Sequence, residues 1–267
     1  VTKAIIRDGV TLGYDDMGAG EPLVLVHGHP FDRTMWRPQA EHFAARGWRV
    51  IVPDLRGYGE SEVIPGKTPL ETFAGDIAAL LDHLGVGDIV LGGLSMGGQI
   101  VMDFHRQYPE RLRALLLADT SAPPETEEGV RRRRATADRL VHEGMAPYAD
   151  EVLAMMVAPA NIEALPEVAE HVLRMMRDTP PEGAAAALRG RAERPDYVST
   201  LSRAEVPTLV VVGREDEFTP LEDAELLRSC VPGAELVVVQ GAAHMPNLER
   251  TAEFDDALGT FLDRLSR

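Results

Sequence analysis

Six short runs of Val, Leu and Ile recur along this chain, at residues 23–26, 50–52, 89–91, 114–117, 208–212 and 236–239. Each is too short for a buried helix, and none alternates with polar residues as a half-exposed strand would. Runs of this kind are strands covered on both faces, the signature of a parallel sheet flanked by helices. Residues 4–6 and 11–14 do alternate and suit an antiparallel edge. The pattern therefore predicts an α/β fold with a mostly parallel, eight-stranded sheet. Helical patterns lie between the runs. Leu70, Phe73, Ala74, Ile77, Leu80, Leu81 and Leu84 mark one apolar face, and Gly85 suits its stop. The tetrapeptide "TPLE" occurs at 68–71 and again at 219–222. In both places Thr suits the N-cap, Pro the first helical position, and Glu the third residue of a capping box.

The alternation stops between about Ser121 and Leu201. That stretch has no convincing strand, breaks at Pro123, Pro124, Pro159, Pro180 and Pro181, and holds five of the ten methionines. It reads as a helical insertion, so residues 1–120 and 202–267 are expected to form one core and residues 121–201 a helical cap.

Charge and cysteine content remove several function classes. The net charge is −16, opposite in sign to what phosphate backbones attract, so no nucleic-acid partner is expected. Cys230 is the single cysteine, which rules out an intrachain disulfide and fits a reducing compartment. No run is long enough to span a bilayer, and residues 1–16 lack an apolar signal core. A cytoplasmic protein with no membrane partner is the expectation; oligomeric state is not readable.

Chemistry concentrates at one turn. The run "DIVLGG" passes into the helical pattern "MGGQIVMDFHRQY" through Gly93-Leu94-Ser95-Met96-Gly97. No Lys-Ser/Thr follows the glycines, which excludes a P-loop, and no G-x-G-x-x-G is present. What fits is G-x-S-x-G, a strained strand-to-helix turn that presents a nucleophilic serine. Small residues are needed around such a serine, and the helix N-terminus behind it favours developing negative charge. Ser95 then needs a base and an orienting acid. His244, in a small-residue loop after the last run, suits the base; His42, His83, His105, His142 and His171 fall within helical patterns. Asp216, directly after the run at 208–212, suits the acid, with Asp119 as rival. The stretch "VHGHPFD" offers His27 and His29 as zinc ligands, but Phe31 and Asp32 break the H-x-H-x-D-H pattern, so no metal is expected.

With these blocks in place, the chain resembles an α/β-hydrolase-fold serine hydrolase. "HGHP", "DLRGYGES", "GLSMGG", "GREDEFTP" and "GAAHMPNLE" match that family's blocks in order and spacing. "PEGAAAALRG", "VPTLVVVGREDEFTP" and "AAHMPNLER" look most like its 3-oxoadipate enol-lactonase branch, which mixes with carboxylesterases and cofactor-free haloperoxidases. The insertion departs from that branch, which leaves the substrate open. The resemblance implies Ser95 as nucleophile, Asp216 as acid and His244 as base. It also implies an oxyanion hole from the N–H groups of Met96 and His29, and no cofactor. Asp54, Arg56, Gly57 and Gly59 match a structural turn. Cleavage of a small-molecule ester or lactone is the expected activity. Perhydrolysis or C–C bond hydrolysis on the same triad, and a small-molecule receptor with a residual triad, are the alternatives. Trp36, Met145 and Met155 are candidate pocket walls, with core packing as the competing reading. Arg131–Arg134 could grip an anionic substrate, but read first as a solvated helix face balancing Glu125, Glu127 and Glu128.

Overall fold

The computed structural model describes residues 1–265. Its strands are β1 (Thr2–Ile5), β2 (Thr11–Met17), β3 (Glu21–Val26), β4 (Trp48–Pro53), β5 (Ile89–Leu94), β6 (Leu112–Ala118), β7 (Thr208–Gly213) and β8 (Glu235–Val239). All eight expected strands are present. They form one sheet in the order β1-β2-β4-β3-β5-β6-β7-β8. β2 pairs antiparallel with both β1 and β4, and the remaining pairings are parallel, as the alternating and unbroken patterns predict.

The helices preceding the insertion are α1 (Arg37–Ala45), α2 (Leu70–His83) and α3 (Met96–Gln107). Between β6 and β7 come α4 (Glu127–Glu143), α5 (Ala146–Met156), α6 (Pro159–Ala164), α7 (Pro166–Asp178), α8 (Pro181–Arg191) and α9 (Val198–Leu201). The chain ends with α10 (Leu221–Cys230), α11 (Pro246–Glu249) and α12 (Thr251–Leu265). No helix among the described residues is long and apolar enough to cross a membrane.

Each face of the sheet has its own apolar layer. Phe73 and Ile77 of α2, Ile100 and Phe104 of α3 and Leu227 of α10 cover one face. Phe43 of α1 and Phe254, Leu258 and Phe261 of α12 cover the other. Each such side chain contributes about 1.5–3 kcal/mol on full burial, so the helix faces read from sequence fix the layers.

Both "TPLE" helices start one residue later than expected and lack the threonine cap. α2 begins at Leu70 and α10 at Leu221, with an extended Pro69 or Pro220 at the N-cap and no side-chain cap bond. The Thr219 hydroxyl is committed to Asp216 instead, at 2.6 Å. Thr68 is pinned beneath α8: its N–H donates to the Ala186 carbonyl at 3.0 Å. Its own carbonyl lies where a Cβ on Gly190 would sit. Tertiary contacts outbid the local caps.

The order β4-β3-β5 makes a topological switch, because the chain passes from β3 to β4 on one side and then crosses back to β5 on the other. Ligands in such sheets bind beyond the carboxyl ends of the strands at this point. The loops after β3, β5, β7 and β8 meet there.

Candidate active site

Ser95 joins β5 to α3 with φ 58° and ψ −117°, a conformation costing on the order of 1–3 kcal/mol for a non-glycine residue. Surrounding contacts hold it: its N–H donates to the Ala118 carbonyl (2.9 Å) and the Thr120 hydroxyl donates to its carbonyl (2.7 Å). The glycines are required by close approach. A Cβ on Gly93 would fall 2.3 Å from the Gly97 carbonyl, and one on Gly97 would fall 2.2 Å from the Val26 carbonyl.

The loop after β3 lies directly over this turn, with the space for a Gly28 Cβ only 3.2 Å from the Ser95 Cβ. His27 anchors it. The Leu55 N–H donates to His27 Nε2 (3.0 Å), so Nδ1 carries the proton and donates to the Gly28 carbonyl (2.8 Å). Burial keeps this imidazole neutral by pushing its pKa down. With both ring nitrogens committed, His27 has no lone pair left for a metal. The N–H groups of His29 and Met96 take no carbonyl partner in the turns. Among the described residues this leaves both as candidate oxyanion donors beside Ser95.

His244 stands in the loop after β8. Its Nδ1–H donates to Asp216 Oδ2 at 2.8 Å, and both side chains are buried. Asp216 also accepts from the N–H of Phe218 (2.9 Å), the N–H of Thr219 (3.2 Å) and the Thr219 hydroxyl. Burial opposes the charge of Asp216, but His244 and these donors outweigh it and its pKa falls below the ordinary value. Glu249, 3% exposed, holds the His244 loop in place. One of its oxygens accepts the N–H groups of Ala243 (2.9 Å) and Met245 (3.3 Å), on either side of His244. The other accepts Ala158 N–H (2.8 Å) and Asn161 Nδ2 (2.6 Å) from the insertion.

The rival acid Asp119 does not take the His244 hydrogen bond, which Asp216 receives. It ties β6 to β7 by accepting the Gly213 N–H at 2.8 Å, and it adopts φ 44°. One of its carboxyl oxygens lies within 4.8 Å of an Asp216 carboxylate oxygen and of a His244 ring nitrogen. Burial and the Asp216 charge raise its pKa well above the usual carboxylate range. As a carboxylate its Oδ2 would lack a donor; as a carboxylic acid it is a donor beside Asp216.

Ser95 and His244 open onto one cavity of about 590 Å³, whose wall also includes His29, Gln99, Tyr148 and Arg191. The volume suits a small organic ligand. Residues 21–251 match the family profile of the α/β hydrolase fold. The chain belongs to the α/β-hydrolase fold family. It is similar throughout its length to an esterase from Thermogutta terrifontis solved with malate bound. The two are 41% identical with a TM-score of 0.96, over 99% of both chains. It is 27% identical to 3-oxoadipate enol-lactonase 2 of Acinetobacter baylyi, over 96% of this chain and 95% of that one. A Burkholderia vietnamiensis 2-hydroxy-6-oxononadienedioate/2-hydroxy-6-oxononatrienedioate hydrolase is 30% identical, over 97% and 94%.

Within this α/β-hydrolase, Met155 lines the cavity as expected, but two other expected wall residues do not. Trp36 is fully buried against Phe254, ring centroids 5.8 Å apart, in the layer between α1 and α12. Met145 packs with Ala137, Leu140 and Leu188 between α4 and α8. In both cases an apolar side chain found a drier partner than the cavity. Nor is the arginine run only a solvated face. Arg132 and Arg133 line the cavity, and Arg133 pairs with Glu125. Tyr58 was missed entirely. It belongs to the "DLRGYGES" turn, and its hydroxyl bonds His29 Nδ1 at 2.8 Å. Its only signal was an aromatic ring set among residues chosen for a tight turn.

Proposed function

We propose that this α/β-hydrolase is a serine hydrolase that cleaves a small carboxylic ester or lactone through an acyl-enzyme on Ser95. The observation that carries the reading is the buried His244–Asp216 hydrogen bond. It leaves His244 Nε2 as the basic nitrogen, on the same cavity as a serine held at positive φ. His244 takes the Ser95 proton as Oγ attacks the carbonyl carbon. The N–H groups of His29 and Met96 hold the oxyanion, each worth about 3–4 kcal/mol in comparable sites. His244 returns the proton to the leaving alkoxide. Water, deprotonated by the same imidazole, then attacks the acyl carbon and releases the acid and free Ser95. Similarity to an esterase and an enol-lactonase supports this substrate class.

Helices α4 to α8 act as the cap that sets specificity. Tyr197 and Leu201 pack into the core layer with α3 and α10, which anchors the downstream end of the insertion to the core. The test is Ser95→Ala against a panel of esters of graded chain length, lactones and an enol-lactone. Turnover and fluorophosphonate labelling should both vanish. Undiminished turnover in that variant overturns the reading.

A further inference from the structure

The loop that crosses over Ser95 carries a polar group that the acyl-transfer steps leave unused. His29 belongs to the cavity wall and is only 4% exposed, yet its Nε2 is buried without a partner. The state of this nitrogen follows from Tyr58. Tyr58 is fully buried, and among the described residues the one partner of its hydroxyl is His29 Nδ1, at 2.8 Å. Burial raises the pKa of this phenol, so it keeps its proton. If Nδ1 carried the ring proton, the Tyr58 O–H and the Nε2 lone pair would both be left over. With the hydroxyl donating to Nδ1, a single group is left over, the Nε2–H, and this is the less costly arrangement. Burial, reinforced by the charges of Arg191 and Arg133, pushes the His29 pKa well down and keeps the ring neutral. The outcome is a fixed, uncharged donor that lacks an acceptor within the protein, and such a group calls for an explanation.

The chemistry at Ser95 says where an acceptor would come from. The tetrahedral carbon formed there has four substituents. Three have partners already: Ser95 Oγ, the oxyanion, and the leaving oxygen, which must lie toward His244 to receive its proton. The acyl chain takes the remaining direction. Phe218 is the ring beside His244, with centroids 5.1 Å apart. The rings beside His29 are different ones, Tyr58 at 6.1 Å and Tyr148 of α5 at 6.3 Å. The His29 imidazole therefore stands away from the leaving-group side. Its own backbone N–H is directed at the oxyanion, so its side chain is placed for atoms next to the reacting carbonyl.

We infer that the His29 imidazole, fixed as the Nε2–H tautomer by Tyr58, donates to an oxygen on the α-carbon of the acyl group, and that the preferred substrates are 2-alkoxy or 2-hydroxy esters and lactones. This rests on the serine-hydrolase reading and adds the acyl group to it. An uncharged donor matches an uncharged ether or hydroxyl oxygen, and a substrate lacking that oxygen leaves the buried Nε2–H unpaired.

Ethyl methoxyacetate and ethyl butyrate differ only by an oxygen in place of a CH2 group, so they form the matched pair for the test. The ratio of their kcat/KM values is compared between the parent and His29→Phe, which keeps the backbone N–H. Inductive activation of the methoxy ester is the same for both proteins and cancels in that comparison. The ratio should fall at least fivefold in His29→Phe, and a smaller fall overturns the inference. Long-range 1H–15N correlation on 15N-histidine-labelled parent protein supplies a readout independent of turnover, with the His29 ring assigned by transfer from its own backbone. It should show the Nε2–H tautomer, and addition of methoxyacetamide should shift the Nε2 resonance while butyramide leaves it in place. An Nδ1–H tautomer, or equal shifts with the two amides, overturns the inference, and this decides the matter if His29→Phe does not fold. If neither ester is turned over, the hydrolase reading falls by itself, and the amide titration still decides whether His29 binds such an oxygen.

Discussion

Glu249→Gln isolates what holds the candidate base in place. The two side chains have nearly the same shape, so the substitution changes polarity and leaves packing intact. Glu249 accepts four donors, two on each oxygen. A glutamine offers one acceptor oxygen and one NH2 group, so in either orientation the NH2 confronts two N–H donors. Asn161 cannot relieve the clash by flipping, because its Nδ2 also donates to the Gly241 carbonyl at 2.8 Å. Two hydrogen bonds to a charged acceptor are therefore lost, each worth about 1.5–3 kcal/mol. The parent already bears the cost of burying the carboxylate, so the net expected loss is about 2–5 kcal/mol. Urea unfolding should show this as a lower midpoint at unchanged slope. The fraction of chain that remains folded should also turn over esters more slowly, because Ala243 and Met245 flank His244. A variant within about 0.5 kcal/mol of the parent, with unchanged kcat, would refute the claim that Glu249 positions the His244 loop.

Two pH dependences follow from the buried acids. Asp119 has a raised pKa in the folded state, so it lowers stability as pH rises from the unfolded carboxylate value near 4 toward neutrality. Asp119→Asn keeps an acceptor for Gly213 and a donor for Asp216. Its stability relative to the parent should therefore increase between pH 4 and pH 7 in urea titrations; a pH-independent difference contradicts the protonated-acid assignment. Glu125 behaves oppositely. Burial opposes its charge, but Arg133 and Arg194 outweigh that and bring its pKa down to about 2. Its contribution is present above the ordinary value of about 4.3 and is lost as pH falls toward 2. The stability gap between the parent and Glu125→Gln should thus shrink from pH 6 to pH 3, and an equal gap at both would count against the pairing.

Features set by a few adjacent residues were legible in the sequence. The strands were readable because each is a short run buried on both faces, and the Ser95 turn because Gly93 and Gly97 leave room that no larger residue allows. The pairing of His244 with Asp216 was legible only through the positions of their loops at strand ends. Properties set by distant neighbours were not readable. Thr219 looks like a helix cap until Asp216 is brought beside it. Trp36 and Met145 are apolar in either role, and only the fold decides which face they take. In "LRGRAERP" three arginines stand within six positions. Arg189 pairs with Asp138 at the surface and Arg194 shares Glu125, while Arg191 is left facing the cavity. Nothing local to that stretch distinguishes them. The "DLRGYGES" block was read as a structural turn, which fits Asp54 accepting the N–H groups of Arg33 and Glu60. The same block also delivers Tyr58 to His29, a contact 29 residues apart in sequence.

Acid quenching during steady turnover of a 4-nitrophenyl ester, followed by peptide mass spectrometry, tests the central claim most directly. The account predicts a burst of about one nitrophenolate per protein molecule and an acyl group on the peptide carrying Ser95. Turnover with no covalent adduct, or with the acyl group on any other residue, would contradict it.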